Sequence, residues 1–240
     1  MNIISPTWKI FKKIFWFLKE DQKYKIRTLF LKLLIIFGYS NAENRMDKKI
    51  IKLFDYKKNG FFIEVGAYDG IHYSNTLLLE KKYSWKGLLV EPLKKQFDIC
   101  KKYRTNSIVE NYILSSTLDR DKIMNIHKSG LESIIIDKQA SLMPKAHLIN
   151  KSKEDVQDIA STTLDYLLEK HNINFIDILI VDVEGFEINL LDGLTNKIKI
   201  NYILIETFDE NTIINYCKKR NWNLVEKFTH KDYLFKVSSL

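Results

Sequence analysis

Short apolar runs alternate with amphipathic segments along the chain from residue 61 onward. The apolar runs are 61–67, 87–91, 107–114, 177–183 and 202–206. Segments with helical periodicity lie between several of them, at 74–83, 93–103, 162–171, 186–192 and 209–220. Near-continuous apolar strands separated by helices are typical of a parallel sheet that is buried on both faces. The pattern therefore predicts a mostly parallel sheet with helices packed on it.

The end of the chain has a different pattern, which predicts two strands joined by a short turn. This segment, residues 222–237, reads WNLVEKFTHKDYLFKV. A mostly parallel sheet that closes with a reversed C-terminal edge strand fits a doubly wound, Rossmann-like α/β fold. We predict such a domain over residues 59–240, preceded by a basic, amphipathic helical extension over residues 1–58.

Residues 116–160 interrupt the alternation of strands and helices. They contain charged and short apolar pieces where one helix would suffice to connect two strands. A long insertion at this place in a compact domain is often a binding lid. A small extra hairpin without a direct role fits the same residues. We expect a substrate lid.

The basic character of the chain belongs to its N-terminal quarter. The formal net charge is +8, but residues 1–60 carry 14 Lys and Arg against five acids, and the remaining residues are nearly balanced. This quarter also holds two apolar runs, at 8–18 and 26–37. Both are shorter than the roughly 18 apolar residues that a membrane-spanning helix needs. No signal-peptide cleavage pattern follows either run.

These N-terminal runs predict amphipathic helices, for which several interpretations remain open. Between residues 8 and 18, lysines fall on one arc of a helical wheel and aromatic and aliphatic residues cover most of the other. Such a helix either contacts a membrane surface, through residues 8–37, or packs on the core with its lysines outward. It could also pair two subunits in a homodimer. A nucleic-acid partner is not expected, because Lys dominates over Arg and no recognition motif is present.

Cysteine usage predicts a cytoplasmic protein. Cys100 and Cys217 lie far apart and form neither a CxxC pair nor a disulfide framework. That pattern is typical of a reducing compartment. If the N-terminal helices contact a membrane, the expected place is its inner face.

The stretch FFIEVGAYDGIHYSNT, residues 61–76, joins the first predicted strand to the first predicted helix of the domain. Gly66 permits a sharp turn, and Gly70 lets the following helix start close to the sheet. Tyr68 stands where the dinucleotide fingerprint G-x-G-x-x-G has its middle glycine, which lets a pyrophosphate approach the backbone. An ordinary strand-to-helix turn is the simpler interpretation. The arrangement favours a nucleoside ligand without a pyrophosphate.

Carboxylates surround this predicted loop and indicate the charge of its ligand. Glu91 ends the second predicted strand, 21 residues after Gly70, where an acid can accept hydrogen bonds from both ribose hydroxyls. Glu64 in the first strand and Asp69 in the loop add negative charge. Such a pocket repels phosphates and suits a cationic ligand. S-Adenosylmethionine, with its amine and sulfonium, has that charge pattern.

Several stretches of the chain together resemble the FkbM-type methyltransferases, a family of class I S-adenosylmethionine enzymes. The stretches are FIEVGAYDG, YSNT, WKGLLVEP, TLDYLLEKHNINFIDILIVDVEGFEINLLDGL and YILIE, within about residues 60–207. The resemblance implies a class I methyltransferase fold and a set of cofactor-binding residues. The cofactor loop and the helix start that faces it would comprise Glu64, Gly66, Ala67, Asp69, Gly70, Ser74, Asn75 and Thr76. Glu91 and Pro92 would lie at the ribose, and residues from Asn111 to Ser115 would flank the adenine.

Two acids end the predicted strand that reads DILIVDV, in the sequence VDVEGFE. Alternation along a strand directs Asp182 and Glu184 to the same side. They either cap the following helix or serve the reaction. Removing a proton from a hydroxyl requires a base, and we expect it among Asp182, Glu184 and His72, with Glu206 at the end of the fifth predicted strand as the fourth candidate. Asp182, Glu184 and Glu206 could also hold Mg²⁺ or Mn²⁺.

The acceptor is expected to be an oxygen. Amino-methylating nucleic-acid enzymes carry an Asn or Asp followed by two prolines at this strand, and the three prolines of this chain are isolated. Cytosine C5 chemistry needs a nucleophilic Cys, usually after a proline, and neither cysteine here follows one. The family resemblance implies O-methylation of a sugar in a surface glycan, nucleotide-sugar or glycolipid. The alternatives are a nucleotide-dependent oxidoreductase and a non-catalytic membrane- or nucleic-acid-binding module.

Overall fold

The structure is a computed structural model that describes residues 18–127, 134–135, 156–195 and 198–238. The strands are β1 (Phe61–Val65), β2 (Lys86–Val90), β3 (Ile108–Glu110), β4 (Ile113–Leu114), β5 (Ile123–His127), β6 (Ile134–Ile135), β7 (Val156–Thr162), β8 (Phe175–Val181), β9 (Lys199–Glu206), β10 (Trp222–Lys227) and β11 (Asp232–Val237). The α-helices are α1 (Glu20–Ile36), α2 (Met46–Leu53), α3 (Leu77–Tyr83), α4 (Lys94–Tyr103), α5 (Leu164–Lys170), α6 (Glu187–Leu191) and α7 (Glu210–Lys219). Short 3₁₀ helices cover Glu43–Arg45 and Thr117–Asp119.

The central sheet has the strand order β10-β11-β9-β8-β1-β2-β3. All pairs from β9 to β3 are parallel, whereas β11 is antiparallel to both of its neighbours. The prediction of a Rossmann-like, mostly parallel sheet with a reversed C-terminal strand is confirmed. The reversed strand lies one position inside the sheet, and β10 forms the edge. Strand order reverses between β1 and β8, so the crevice above their carboxyl ends is the expected ligand position.

The segment predicted as one strand over 107–114 is two short strands in different sheets. β3 extends the central sheet beside β2, and β4 pairs with β7. Between them, the side-chain amide of Asn111 donates to the carbonyl oxygens of Glu91 and Pro92, at 2.8 and 2.6 Å. This bridge fixes a bend in the backbone that periodicity alone does not reveal.

The insertion contributes to a second, smaller sheet of order β4-β7-β5-β6. β5 pairs antiparallel with both β6 and β7. This is the extra hairpin that the sequence left open as the alternative to a lid. Residues 128–133 and 136–155 lie outside the described residues, so the role of this insertion as a substrate lid stays a prediction.

Alternation along the strands sends side chains to two separate apolar layers. On β1, Ile63 and Val65 join the layer beneath α5, α6 and α7, whereas Phe62 joins the opposite layer. That opposite layer contains buried residues of α1, α2 and α3 together with strand residues.

Leu31 and Ile35 of α1 are almost fully buried in this layer. The N-terminal helix α1 therefore packs on the core, while residues 8–17 of the predicted amphipathic segment lie outside the described part. Within the described ranges, no helix combines the length and the apolar content that a bilayer crossing requires.

Candidate active site

A cavity of about 390 Å³ opens at the carboxyl ends of β1, β2, β8 and β9, the position that the sheet topology predicts for a ligand. It is lined by many of the residues that the sequence singled out. These are Glu64, Gly66, Ala67, His72, Ser74, Asn75, Glu91, Pro92, Asp182, Glu184 and Glu206. The sequence therefore identified much of the wall of one cavity.

The other predicted cofactor-binding residues are not among those that line the cavity. They are Asp69, Gly70, Thr76, Asn111 and Ser115. Asp69 and Thr76 hydrogen-bond to residues that do line the cavity, and the backbone N–H of Ser115 donates to Thr162 of β7. Their predicted roles in cofactor binding stay predictions.

Sequence reasoning missed two charged residues that line the cavity, because they come from segments far from the recognised motifs. They are Glu43 and Lys231. The aromatic residues Tyr68, Tyr73, Tyr112 and Phe186 also line the cavity, but they lie within stretches that the sequence analysis described. Glu43 lies in the N-terminal extension and Lys231 in the turn before β11. No local pattern marks either residue, since each reaches the cavity only through the tertiary fold.

Gly66 holds the first loop against the start of the segment that follows β8. Its φ of 87° lies in the left-handed region that favours glycine. A Cβ at this position would lie 1.8 Å from the backbone oxygen of Asp182. The backbone N–H groups of Gly66 and Ala67 donate to the carbonyl of Val90. Glycine is therefore required both by the backbone angle and by the close approach of the two strand ends.

Glu91 joins two loops at the floor of the cavity. One carboxylate oxygen accepts the backbone N–H of Tyr68 and the other accepts that of Leu93, both at 2.8 Å. Burial raises the pKa of Glu91 to about 8, against the effect of these two hydrogen bonds. An ionised carboxylate has about four acceptor positions. Two remain for the hydroxyls of a ligand after the backbone contacts are made.

Glu64 organises the start of α3 beneath the cavity. It accepts the backbone N–H of Asn75 at 2.8 Å and the hydroxyls of Ser74 and Thr76. Burial raises the pKa of Glu64, while Arg104 and these hydrogen bonds work in the opposite direction. The SNT sequence is thus tied to the acid of β1 by three hydrogen bonds.

Arg104, which the sequence analysis did not single out, is fully buried behind the same helix start. Its guanidinium donates to Glu80 at 2.8 Å, to Ser74 at 3.0 Å and to Thr76 at 2.8 Å. It also donates to the carbonyl oxygen of Gly70 at 3.2 Å. A buried guanidinium with four partners connects the loop from Gly66 to Gly70, which we call the glycine loop, to the start of α3.

His72 belongs to a buried hydrogen-bonded chain beside the loop. Its Nδ1 lies 2.6 Å from Asp69 Oδ2, which also accepts the hydroxyl of Tyr24 at 3.0 Å. Burial opposes the charge of Asp69, but the contacts with His72 and with backbone N–H groups outweigh it and lower the pKa of Asp69. Nε2 of His72 is buried and has no hydrogen-bond partner among the residues that the structure describes, and the side chain lines the cavity. The Asp69 contact leaves this nitrogen for a ligand.

The N-terminal extension contributes a wall of the cavity. The side-chain amide of Asn41 donates to the carbonyl of Ile71, and Ala42 forms a parallel β-bridge with Tyr73. The next residue, Glu43, lines the cavity. The extension is therefore part of the site rather than a separate appendage.

Three carboxylates converge at the β8–β9 end of the cavity. Oxygen atoms of Asp182, Glu184 and Glu206 lie within 4.8 Å of one another. Burial, followed by Glu206 and Glu184, raises the pKa of Asp182 well above its usual range. Glu206 accepts a hydrogen bond from Lys231 Nζ, although burial still raises its pKa. The cluster therefore tends to retain a proton and already contains one cationic side chain.

Comparison with solved structures gives distant similarities. One is TrmK from M. capricolum in complex with S-adenosylhomocysteine, with 11% identity and a TM-score of 0.44, covering 83% of this chain and 69% of that chain. Another is an S-adenosylmethionine-dependent methyltransferase from Aquifex aeolicus, with 9% identity and a TM-score of 0.45, covering 83% of this chain and 95% of that chain. Similarities of this size carry no argument about substrate. No curated protein matches the sequence.

The sequence also matches a family described as the methyltransferase FkbM domain, over residues 64–231. The matched range covers more than two thirds of the chain and contains both the glycine loop and the acid cluster. It confirms the resemblance that the motifs indicated. The chain therefore belongs to the FkbM methyltransferase family and is a methyltransferase that uses S-adenosylmethionine.

Proposed function

We propose that the protein transfers the methyl group of S-adenosylmethionine to a hydroxyl oxygen of a sugar-type acceptor. The observation that carries the proposal is the continuity of one cavity. It runs from the glycine loop and Glu91 to the carboxylates Asp182, Glu184 and Glu206. One end suits a nucleoside and the other suits a hydroxyl-rich molecule.

The cofactor end is defined by the loop after β1 and by the acid that ends β2. In this assignment, Glu91 accepts hydrogen bonds from the ribose hydroxyls, as the acid at this position does in dinucleotide folds. Tyr68 occupies the place of the middle fingerprint glycine and disfavours a pyrophosphate. This argues against the nucleotide-dependent oxidoreductase, and the family match argues against a module without catalytic activity.

The acceptor end is rich in carboxylates. Besides Asp182, Glu184 and Glu206, Glu43 lines the cavity, and Lys231 is the cation among them. Carboxylates accept hydrogen bonds from sugar hydroxyls and repel phosphates. Among the acceptors that the family resemblance implies, we therefore place neutral sugars and amino sugars ahead of nucleotide-sugars. The same repulsion disfavours a nucleic acid.

Methyl transfer to oxygen requires that a proton leave the acceptor hydroxyl. In the proposed step, the O–H bond gives its proton to the Asp182 cluster and the oxygen attacks the methyl carbon. The bond from that carbon to sulfur breaks, and its electron pair stays on the sulfur, which becomes a neutral thioether. A carboxylate whose pKa is raised is a stronger base once ionised, which favours Asp182. His72, whose Nε2 has no partner within the described ranges, is the second candidate.

The predicted divalent ion is not part of this proposal. Its support was the spacing of Asp182, Glu184 and Glu206. The ammonium of Lys231 bonds to Glu206 and balances part of this charge. A cluster with its own cation has less need of a metal ion.

The experiment is a transfer assay with S-adenosylmethionine that carries an isotopic label in its methyl group. The acceptors are monosaccharides, amino sugars, nucleotide-sugars and extracted glycolipids, with bulk RNA and a histidine- and lysine-containing peptide as controls. Label on a sugar oxygen, located by mass spectrometry, is the expected result. Label only on nitrogen, or only on RNA, would refute the acceptor assignment while leaving the cofactor assignment intact.

A further inference from the structure

Helix α1 and the residue that caps its C-terminus expose a continuous row of large apolar side chains. Leu29, Phe30, Leu33, Ile36 and Phe37 are all exposed, with 62% of Leu29, 67% of Ile36 and 73% of Phe37 accessible. Successive residues of an α-helix are about 100° apart, so these five fall within an arc of roughly 120°. We call this set the apolar stripe. Clustered apolar side chains on a surface mark interaction sites, whereas scattered ones need no explanation.

The opposite side of the same helix is buried, so core packing does not account for the stripe. Thr28, Leu31 and Ile35 are at most 2% exposed. They join the apolar layer shared with α2 and α3 or lie against it. The helix is thus apolar on two opposite faces, and the core uses one of them.

Lysines border the stripe on both sides. On the helical wheel, Lys25 and Lys32 lie at one edge of the stripe and Lys23 at the other. This arrangement is typical of helices that lie in a membrane interface, where apolar residues enter the acyl boundary and lysine side chains extend to the headgroups.

A wider basic cluster extends from the edge with Lys25 and Lys32 onto the neighbouring helices α3 and α4. Lys81 and Lys102 lie close enough to Lys32 that, after burial, they lower its pKa. Lys82 approaches the end of α1, because a Cβ on Gly38 would lie 2.4 Å from its Nζ. Four lysines from α1, α3 and α4 therefore share one side of the molecule, and Lys81 among them is ion-paired with Glu80 at 2.7 Å. Each unpaired cation near an anionic leaflet strengthens binding to it.

The charge pattern distinguishes among three possible partners of the stripe: a second copy of the chain, a nucleic acid and a lipid surface. Two copies that paired through it would bring their lysine clusters together, which is unfavourable. A nucleic acid would neutralise the lysines but leave Phe30, Ile36 and Phe37 in water. An anionic lipid surface satisfies both features at once. We propose that the apolar stripe and its lysines bind the surface of an anionic lipid bilayer.

Vesicle co-sedimentation of the full chain tests this proposal. The probes are vesicles of phosphatidylcholine alone and of phosphatidylcholine mixed with phosphatidylglycerol. We expect binding to the mixed vesicles that weakens as NaCl is added, because salt screens the lysines. The variant Leu33→Ser/Ile36→Ser/Phe37→Ser should lower vesicle affinity by about tenfold or more, since it removes most of the stripe. Leu118→Ser, on a residue that is 84% exposed near the second sheet, is the matched control.

Further variants keep the proposal falsifiable. Lys82→Glu/Lys102→Glu leaves the stripe intact and should abolish the preference for anionic vesicles. Phe11→Ser/Phe15→Ser tests the apolar segment that precedes α1 in the sequence. The proposal is overturned if the stripe variant binds vesicles like the wild type, or if only the Phe11/Phe15 variant loses binding. It is also overturned if the protein does not sediment with the mixed vesicles. In that case, a dimer in sedimentation velocity that the stripe variant dissociates would assign the stripe to a second copy of the chain.

Discussion

The carboxylate of Glu91 carries a pKa of about 8 while it accepts two backbone N–H groups. If it also accepts the ribose hydroxyls, the ionised form should bind the cofactor more tightly. The affinity for S-adenosylhomocysteine is then expected to rise as the pH increases through about 8. Isothermal titration calorimetry over this range measures the effect.

The matched variant for this prediction is Glu91→Gln, which cannot ionise. Loss of a hydrogen bond to a charged group costs about 1.5–3 kcal/mol, or roughly 10- to 150-fold in affinity. The variant should bind more weakly by about that factor, without the pH dependence. An unchanged affinity in Glu91→Gln would remove Glu91 from the ribose contact.

The effects of substitutions on kcat distinguish Asp182 from His72 as the catalytic base. Asp182→Asn should keep the affinity for S-adenosylhomocysteine and lower kcat by about 10²- to 10⁴-fold, the usual contribution of a general base. Because the folded protein raises the pKa of Asp182, the wild-type kcat should increase with pH as this cluster loses its proton. His72→Gln should reduce kcat much less. The opposite ranking of the two variants would assign the base to the Asp69–His72 pair.

The acids were predictable from the sequence and their partners were not. Glu64, Glu91 and Asp182 stand out because each is a charge within or at the end of an apolar strand, where chance placement is costly. The Asp69 contact with Tyr24 spans 45 residues, and Lys231 reaches Glu206 from a turn. Such contacts depend on the tertiary fold, and the spacing of residues along the sequence does not predict them.

At the scale of elements, α1 contributes directly to the cofactor loop. The hydroxyl of Tyr24 donates to Asp69, and burial followed by this neighbour raises the pKa of Tyr24. Tyr24→Phe removes the donor and keeps the ring. A lost hydrogen bond to a charged group costs about 1.5–3 kcal/mol, which corresponds to a fall in Tm of roughly 3–12 °C for a chain of this size. Weaker binding of S-adenosylhomocysteine should accompany this fall.

Differential scanning calorimetry and titration of the same variant measure both effects. Tyr56→Phe, at a tyrosine that is 60% exposed, is the matched control. If Tyr24→Phe has the Tm and the affinity of the Tyr56 variant, α1 does not support the loop.

Element boundaries were predictable where hydrophobic periodicity decides them. β1, β2, β8 and β9 follow the apolar runs, because parallel strands buried on both faces are apolar throughout. The run 107–114 was wrongly predicted as one strand because apolar residues resume at Tyr112, directly after the bend at Asn111, where two carbonyl contacts redirect the chain. The C-terminal hairpin was predicted from the sequence. The structure was needed to show that β11 lies next to β9 and that β10 forms the edge of the sheet.

At the scale of the whole molecule, the N-terminal extension and the domain act together. Glu43, Asn41 and Tyr24 from the extension contact the cavity or its loop, while the apolar stripe faces outward from the same helix. The composition of the first 60 residues indicated a basic, apolar segment. It did not reveal that one face of α1 packs on the core and the other remains exposed.

The central claim is that this cavity binds the methyl donor, and calorimetric titration of the full chain with S-adenosylhomocysteine tests it most directly. We expect micromolar affinity that is unchanged by EDTA and strongly reduced in Glu91→Gln, with no comparable binding of NADH. Absence of S-adenosylhomocysteine binding by the folded wild-type protein, or preferential binding of NADH, would contradict the account.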